Sequence, residues 1–332
     1  MRALVFVRGE GLFLRDVPVP EAGEGDVLLK VLYCTVCGSD LRVLRGEKLP
    51  RRRSVVLGHE VWGEVVESKN PLLPAGLRVS LFPSVVCGAC GMCLSGRENL
   101  CENKLSFGSA LDGGFAEYLR VPRGIVDAGG FFVSGVDGPV NCLLEPLGCV
   151  IRSFDALGVK RGDRLLIVGA GPLGLMHLVV CGYLGVEPFV VDRHADRLEV
   201  ASRLIPGAEG ASDVGGVEGR FDAAVFCAPC FEEVERVLGL LVPGGRLNLF
   251  AGGSWDALSR FSPNLLHYRE LVITGTHSTT LDSFKRAAKI FGSVCGTLEA
   301  LITHVFSISD YKAAFETYAT RRGLKVAVSP WV

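Results

Sequence analysis

Cys37 and His59 are the residues of this 332-residue chain whose types and spacing first suggest chemistry. One stands in Cys37-Gly38-Ser39-Asp40, the other in Gly58-His59-Glu60. A thiolate and an imidazole are the donors that a borderline-soft ion such as Zn²⁺ prefers. Asp40 can accept the second ring proton of His59, the outer bond that orients a metal-bound imidazole. Two donors do not hold a catalytic ion, so a third must come from elsewhere. Two carboxylates qualify, Glu60 beside the histidine and Glu145 in Leu144-Glu145-Pro146; either would leave one position open to substrate. Taken alone, the half-site reads equally well as a buried cysteine and an unrelated core histidine.

A second constellation follows. Cys87, Cys90, Cys93 and Cys101 form C-x2-C-x2-C-x7-C, four thiols that can close on one tetrahedral ion and leave no place for substrate. This is a structural site, for zinc or, on spacing alone, an iron–sulfur cluster. The third constellation is Gly169-Ala-Gly171-Pro172-Leu173-Gly174, preceded by the apolar run Arg164 to Val168 and followed by an apolar helix to about Leu184. A further strand, Phe189 to Val191, ends at Asp192. Strand, glycines, helix, strand and acid in that order make a dinucleotide site, with the pyrophosphate at the helix N-terminus and the acid on the ribose. Asp192 favours NAD; Arg193 beside it is the residue type that accommodates the extra phosphate of NADP. Cys227-Ala-Pro-Cys230 has a redox spacing without thioredoxin-like context, and Cys227 reads instead as a small residue lining the nicotinamide crevice. The remaining cysteines and His177, His194, His267 and His304 read as structural.

The elements that must position these groups fall into two styles. The first third is β-rich, with short strands at Leu4 to Val7, Leu12 to Asp16, Val27 to Val36, Val61 to Val66, Arg78 to Phe82 and Phe115 to Val121, as in a partly open barrel. From about Arg161 strands and helices alternate through Leu271 to Thr276, which predicts a doubly wound parallel sheet. A helix (Leu281 to Phe291), a strand (Ile302 to Phe306) and a helix (Ser309 to about Tyr318) follow. Length allows about two domains. The net charge of −1 and pI near 6.6 offer no field for nucleic acid or an anionic membrane. No apolar run spans a bilayer and no signal core is visible, so a cytoplasmic protein is expected, its twelve cysteines in a reducing compartment.

Together these motifs resemble the zinc-containing medium-chain dehydrogenases over essentially the whole chain, with Gly113-Gly-Phe-Ala-Glu-Tyr118 as a further match. Glu145-Pro146 in place of a third ligating cysteine resembles the sorbitol and polyol-phosphate dehydrogenase branch, and Cys-Gly-Ser-Asp-Leu without a following histidine also resembles aminocyclitol dehydrogenases. The resemblance implies an α/β fold, with a GroES-like catalytic domain of residues 1–148 and 277–332 and a Rossmann domain of residues 149–276. It implies two zinc ions per chain, NAD as cofactor, Glu145 as third ligand directly or through water, and homodimers or homotetramers built partly through the sheet edge near Leu271 to Thr276. Many members carry a proton-passing histidine where this chain has Arg42, which cannot release a proton near neutral pH; Ser39 is then the proton relay and Arg42 a candidate anion contact.

The expected activity is transfer of a hydride between a secondary alcohol (polyol, cyclitol or sugar alcohol, possibly phosphorylated) and NAD. The alternatives are a threonine-type amino-alcohol dehydrogenase and a catalytically silent dinucleotide-binding relative. Six cations between Arg42 and Arg53 against the single acid Glu47 point to an anionic substrate, or to a solvated loop.

Overall fold

The computed structural model describes all 332 residues. They form two compact units, residues 1–148 with 279–332 and residues 149–278.

The first unit is built on a mixed sheet whose central strand is Val27–Thr35. Along it lie Glu60–Ser68 and Tyr118–Val121, both antiparallel, and beyond Thr35 the C-terminal strand Lys325–Ser329. Arg78–Leu81, Phe131–Val133 and Ile302–Ser307 extend the sheet outward. A smaller sheet of Gly11–Asp16, Arg2–Val7 and Ser54–Val56 packs alongside. Period-two apolar positions (Leu29, Val31, Leu57, Val61, Val326 and Val328) meet Phe115 and Phe315 in one dry core, the burial that holds a half-solvated sheet together. Two turns set the chain's path toward the site. Gly58 has φ +96°, and a Cβ there would lie 2.7 Å from Cys34 Sγ. A Cβ on Gly113 would lie 2.1 Å from the Gly58 carbonyl oxygen. Only glycine lets these two segments touch.

The second unit is a six-stranded parallel sheet in the order Glu209–Ala211, Glu187–Val191, Arg164–Val168, Phe221–Phe226, Leu241–Leu249, Val272–Gly275. Numbered along the chain this is 3-2-1-4-5-6, the dinucleotide-binding order, with the switch between the first and fourth strands. Leu165 to Val168 and Ala223 to Phe226 are buried throughout, as strands covered on both faces must be. The elements expected from the sequence omit several, among them the helices Gly38–Leu44, Leu144–Leu157 and Pro263–Arg269 and the strands Ser54–Val56, Phe131–Val133, Glu209–Ala211 and Lys325–Ser329. The long helix near the C-terminus runs to Glu299, past Phe291. No helix is long and apolar enough to cross a membrane.

Candidate active site and dinucleotide site

Cys37 is the N-cap of the Gly38–Leu44 helix, immediately after the central strand, and His59 precedes the neighbouring strand Glu60–Ser68. Strand pairing therefore brings the two motifs together, and the ligand atoms of Cys37, His59 and Glu60 lie within 4.8 Å of one another. His59 Nδ1 stands 3.7 Å from Asp40 Oδ1, an ion-pair separation, while the Cys37 backbone N–H donates to Asp40 Oδ2 at 3.0 Å. Ser39 Oγ lies 3.5 Å from His59 Nε2. Glu145, in the first turn of the Leu144–Leu157 helix, is buried and acts on His59 by its charge.

The charges test whether a metal fits. Burial lowers the basicity of His59, but the Cys37 sulfur, Asp40 and Glu145 outweigh it and bring the ring up to about 10. Asp40 is pushed up by its own burial, against the pull of His59. Four acidic groups (Cys37, Asp40, Glu60 and Glu145) thus share a pocket with one histidine and one lysine. A divalent cation suits that surplus, since ligand binding of a metal displaces protons, and thiolate, imidazole and carboxylate are zinc donors.

That lysine, Lys325, has no counterpart in the sequence reasoning. Its Nζ donates to both oxygens of Glu60, at 2.6 and 2.5 Å, and Thr35 Oγ1 donates to the same carboxylate. Lys325 and Glu60 are each about 1% exposed. Removing one partner of such a pair costs about 3–5 kcal/mol, because the other is left charged in the interior. Tyr318 lies close by, its phenol pushed up by burial. A lysine in the otherwise apolar run Leu324 to Val328 was the available signal.

In the four-cysteine lobe all ligand sulfurs lie within 4.8 Å. Cys90–Cys93 are 3.6 Å apart and Cys87–Cys101 3.5 Å, while the N–H groups of Cys90 and Cys87 donate to Cys87 Sγ and Cys101 Sγ, both at 3.4 Å. Backbone N–H groups of Ala89 and Cys90 bring Cys87 down to about 6, whereas burial and the adjacent thiols drive Cys93 to about 12. Four thiolates coexist at such distances only around a cation, so the lobe fits a tetrahedral metal. Glu98, inside the lobe, accepts the Leu281 N–H at 2.6 Å and ties it to the Leu281–Glu299 helix.

In the second unit Gly169 has φ +105°, and Gly171 caps the Pro172–Leu184 helix. A Cβ on Gly174 would fall 1.8 Å from the Gly169 carbonyl oxygen. Leu173 gives its carbonyl to the ring of His177 at 2.7 Å. Asp192 accepts the Ala170 N–H at 2.7 Å and the His194 N–H at 2.9 Å; its remaining lone pairs are available to ribose hydroxyls. Arg193 Nε turns to His194 Nε2 at 3.3 Å. Cys227 follows the Phe221–Phe226 strand, and its N–H donates to the Val168 carbonyl at 2.8 Å. Burial pushes its thiol far up, as expected of a packed residue rather than a redox one.

The basic segment is largely spent on local partners. Arg52 pairs with Asp112 at 2.8 Å and Arg51 donates to the Glu102 carbonyl at 3.3 Å. Arg42, one turn after Ser39 on the same helix, lies 3.5 Å from Glu47.

A catalytic unit with a zinc-type donor set and a dinucleotide-binding unit define an oxidoreductase of the two-domain alcohol dehydrogenase class. Residues 23–129 match the alcohol dehydrogenase GroES-like domain. The chain is 32% identical over 345 residues to an L-threonine 3-dehydrogenase of Streptomyces avermitilis, covering 98% of each. It superposes with a TM-score of 0.90 on a zinc-binding dehydrogenase of Sinorhizobium meliloti bound to NADP, at 28% identity and covering 99% of both chains. It shares the fold of L-idonate 5-dehydrogenase of Escherichia coli, with a TM-score of 0.84 at 24% identity, covering 99% of this chain and 97% of that one. The chain belongs to the zinc-containing medium-chain alcohol dehydrogenases, and it is a zinc- and NAD(P)-dependent enzyme acting on alcohols.

Proposed function

We propose that the substrate is a small polar secondary alcohol carrying an anionic group near the reacting carbon, oxidised by NAD at a zinc held by Cys37, His59 and a carboxylate from Glu60 or Glu145, with a second ion in the four-cysteine lobe. Zinc in such a site is a Lewis acid that lowers the pKa of a bound hydroxyl toward neutrality. Asp40 orients the imidazole through Nδ1. Ser39, whose Oγ lies on the Nε2 side of His59, would accept the proton of a substrate hydroxyl. NAD, held at the glycine loop Gly169 to Gly174 and by Asp192, would supply the hydride acceptor. Asp192 favours NAD by its charge.

The observation that carries the anionic reading is the helix that presents both Ser39 and Arg42. Residues three apart share a face, so Arg42 lies on the side of this helix from which Ser39 approaches His59, and its guanidinium is within reach of a substrate there by swinging from Glu47. Its planar fork suits a carboxylate or phosphate. The L-threonine 3-dehydrogenase named above acts, by that name, on a hydroxy acid of this type. The neutral polyol or cyclitol reading is favoured instead by Glu47, which already faces Arg42. NADH production from L-threonine, a polyol phosphate and a free polyol separates these readings. With an anionic substrate, Arg42→Gln lowers kcat/KM by at least ~10-fold, as loss of a charge-assisted bond requires, and added salt lowers it too. Equal turnover of the free polyol, unaffected by Arg42→Gln, refutes the proposal. A homodimer or homotetramer is supported by the edge position of Val272–Gly275 and by Tyr268, 78% exposed just before it; sedimentation tests it.

A further inference from the structure

We infer that Asn248 is a positioning residue that fixes the carboxyl ends of the fifth and sixth strands of the parallel sheet, against which the nicotinamide half of the dinucleotide lies. The inference rests on the reading that the glycine loop and Asp192 hold the pyrophosphate and the adenosine ribose. The loop follows the first strand and Asp192 ends the second, so the adenosine half occupies that side of the switch point. The nicotinamide half then extends the other way, over Phe221–Phe226, Leu241–Leu249 and Val272–Gly275. An asparagine inside such a strand is out of character. Strands covered on both faces are made of apolar residues, and a buried amide costs free energy unless its groups are paired. Asn248 is fully buried, one residue short of the end of its strand. Ser153, in the Leu144–Leu157 helix and itself fully buried, donates to its Oδ1 at 3.0 Å. Thr276, just past the sixth strand, donates to the same oxygen at 3.0 Å. Asn248 Nδ2 donates to Thr274 Oγ1 at 3.0 Å, and Thr274 gives its own proton to the Leu247 carbonyl at 3.1 Å. That last bond leaves Thr274 only an acceptor toward Asn248, so the amide has one orientation and both lone pairs of its oxygen are taken. Backbone bonds run alongside, from the Thr276 N–H to the Leu249 carbonyl at 3.3 Å and from the Ala251 N–H to the Phe226 carbonyl at 2.8 Å. One amide thus ties a helix and two strand ends together at the rim of the crevice. An apolar side chain of similar size would fill the volume but leave the Thr276 hydroxyl, and the backbone that carries it, unanchored.

The test compares NADH with ADP-ribose, which keeps the adenosine and the pyrophosphate but lacks the nicotinamide ring, by titration calorimetry on the full-length enzyme. In Asn248→Leu, NADH is expected to bind roughly 10-fold more weakly, about the worth of one hydrogen bond, while ADP-ribose binds as it does to the native chain. In the cofactor-free protein, hydrogen exchange at Thr276 and Ala251 should quicken while that at Leu166 and Ile167 stays native. Ser153→Ala, a change remote from any ligand in a fully buried helix residue, should move the same quantities in the same direction. Combined with Asn248→Leu it should add nothing, as members of one network do. If Asn248→Leu does not fold, Ser153→Ala alone carries the test. Equal losses for NADH and ADP-ribose would assign Asn248 to the fold alone and overturn the inference, and so would native NADH binding in both variants. Asp192→Ala separates the underlying reading. Weaker ADP-ribose binding in that variant shows that the adenosine end lies at the glycine loop; native ADP-ribose binding would show that reading, and the inference built on it, to have failed.

Discussion

Replacing Gly174 by alanine tests the packing of the glycine loop against its helix. The added Cβ would sit 1.8 Å from the Gly169 carbonyl oxygen, some 1.5 Å short of the ~3.3 Å at which a carbon meets such an oxygen. The obstacle is backbone, so no rotamer change relieves it; either the loop or the first turn of the Pro172–Leu184 helix must move. Overpacking of this kind costs about 1–3 kcal/mol, here at the upper end. Alanine in place of glycine in a helix returns up to ~1 kcal/mol. A net loss of ~2 kcal/mol corresponds to a fall of about 4–8 °C in the melting of a unit of this size. The displaced N–H groups would also weaken NADH at least ~10-fold, one charge-assisted bond being worth about that much. Gly171→Ala is the control. Its Cβ would meet only Arg197 Nη1, at 3.4 Å, so thermal stability should hold while close approach of the pyrophosphate suffers. Calorimetry and NADH fluorescence titration of the two variants read both quantities. A Gly174→Ala enzyme that melts and binds NADH as the native protein does would refute the reasoning.

Metal analysis should return two zinc ions per chain, and Cys90→Ser should lose the lobe's ion and lower the melting temperature while the second ion is retained. Asp192→Ala should weaken NAD and narrow its advantage over NADP in kcat/KM; faster native turnover with NADP at equal concentration would assign the selectivity to Arg193. His177 is fully buried, its ring stacked on Phe154, and burial lowers it to about 4 despite the Leu173 carbonyl. The folded chain keeps the ring neutral, and the unfolded chain takes the proton below about 6.5. Stability from this residue is therefore complete above pH 6.5 and is lost as the pH falls toward 4, by up to ~3 kcal/mol. His177→Phe should flatten the melting temperature over that interval, read by thermal scans from pH 4 to 7; an unchanged slope would show that other groups cause it.

Local spacing made the fold legible. The glycine fingerprint sits between a strand and a helix, and the four cysteines are close enough in sequence to be close in space. The hydroxyl of Ser39, Asp40 and the paired motifs around Cys37 and His59 also lie within short segments. Long-range pairing was not legible. Lys325 meets Glu60 across a separation of 265 residues, and no periodicity announces a partner at that distance. The strand that carries it, Lys325–Ser329, is buried throughout, so it lacks the alternation that marks a half-exposed strand. The Leu144–Leu157 helix carries Pro146 and Gly148 in its first turns, poor helix formers that make its start read as a turn. The basic segment was legible only in part. Its arginines were visible, but not the acids and carbonyls that occupy Arg51 and Arg52.

The central strand Val27–Thr35 receives its last neighbour from the far end of the chain. On a ribosome adding about 5–20 residues per second, roughly 13–53 s separate the appearance of Glu60 from that of Lys325. During that interval the strand's end near Thr35 presents unpaired backbone groups, the kind of edge that recruits foreign strands. The nascent catalytic unit therefore waits, half assembled, while the entire dinucleotide unit is synthesised and free to fold. Chaperone dependence during synthesis, rather than marginal stability of the finished enzyme, is where this topology would be felt in a cell.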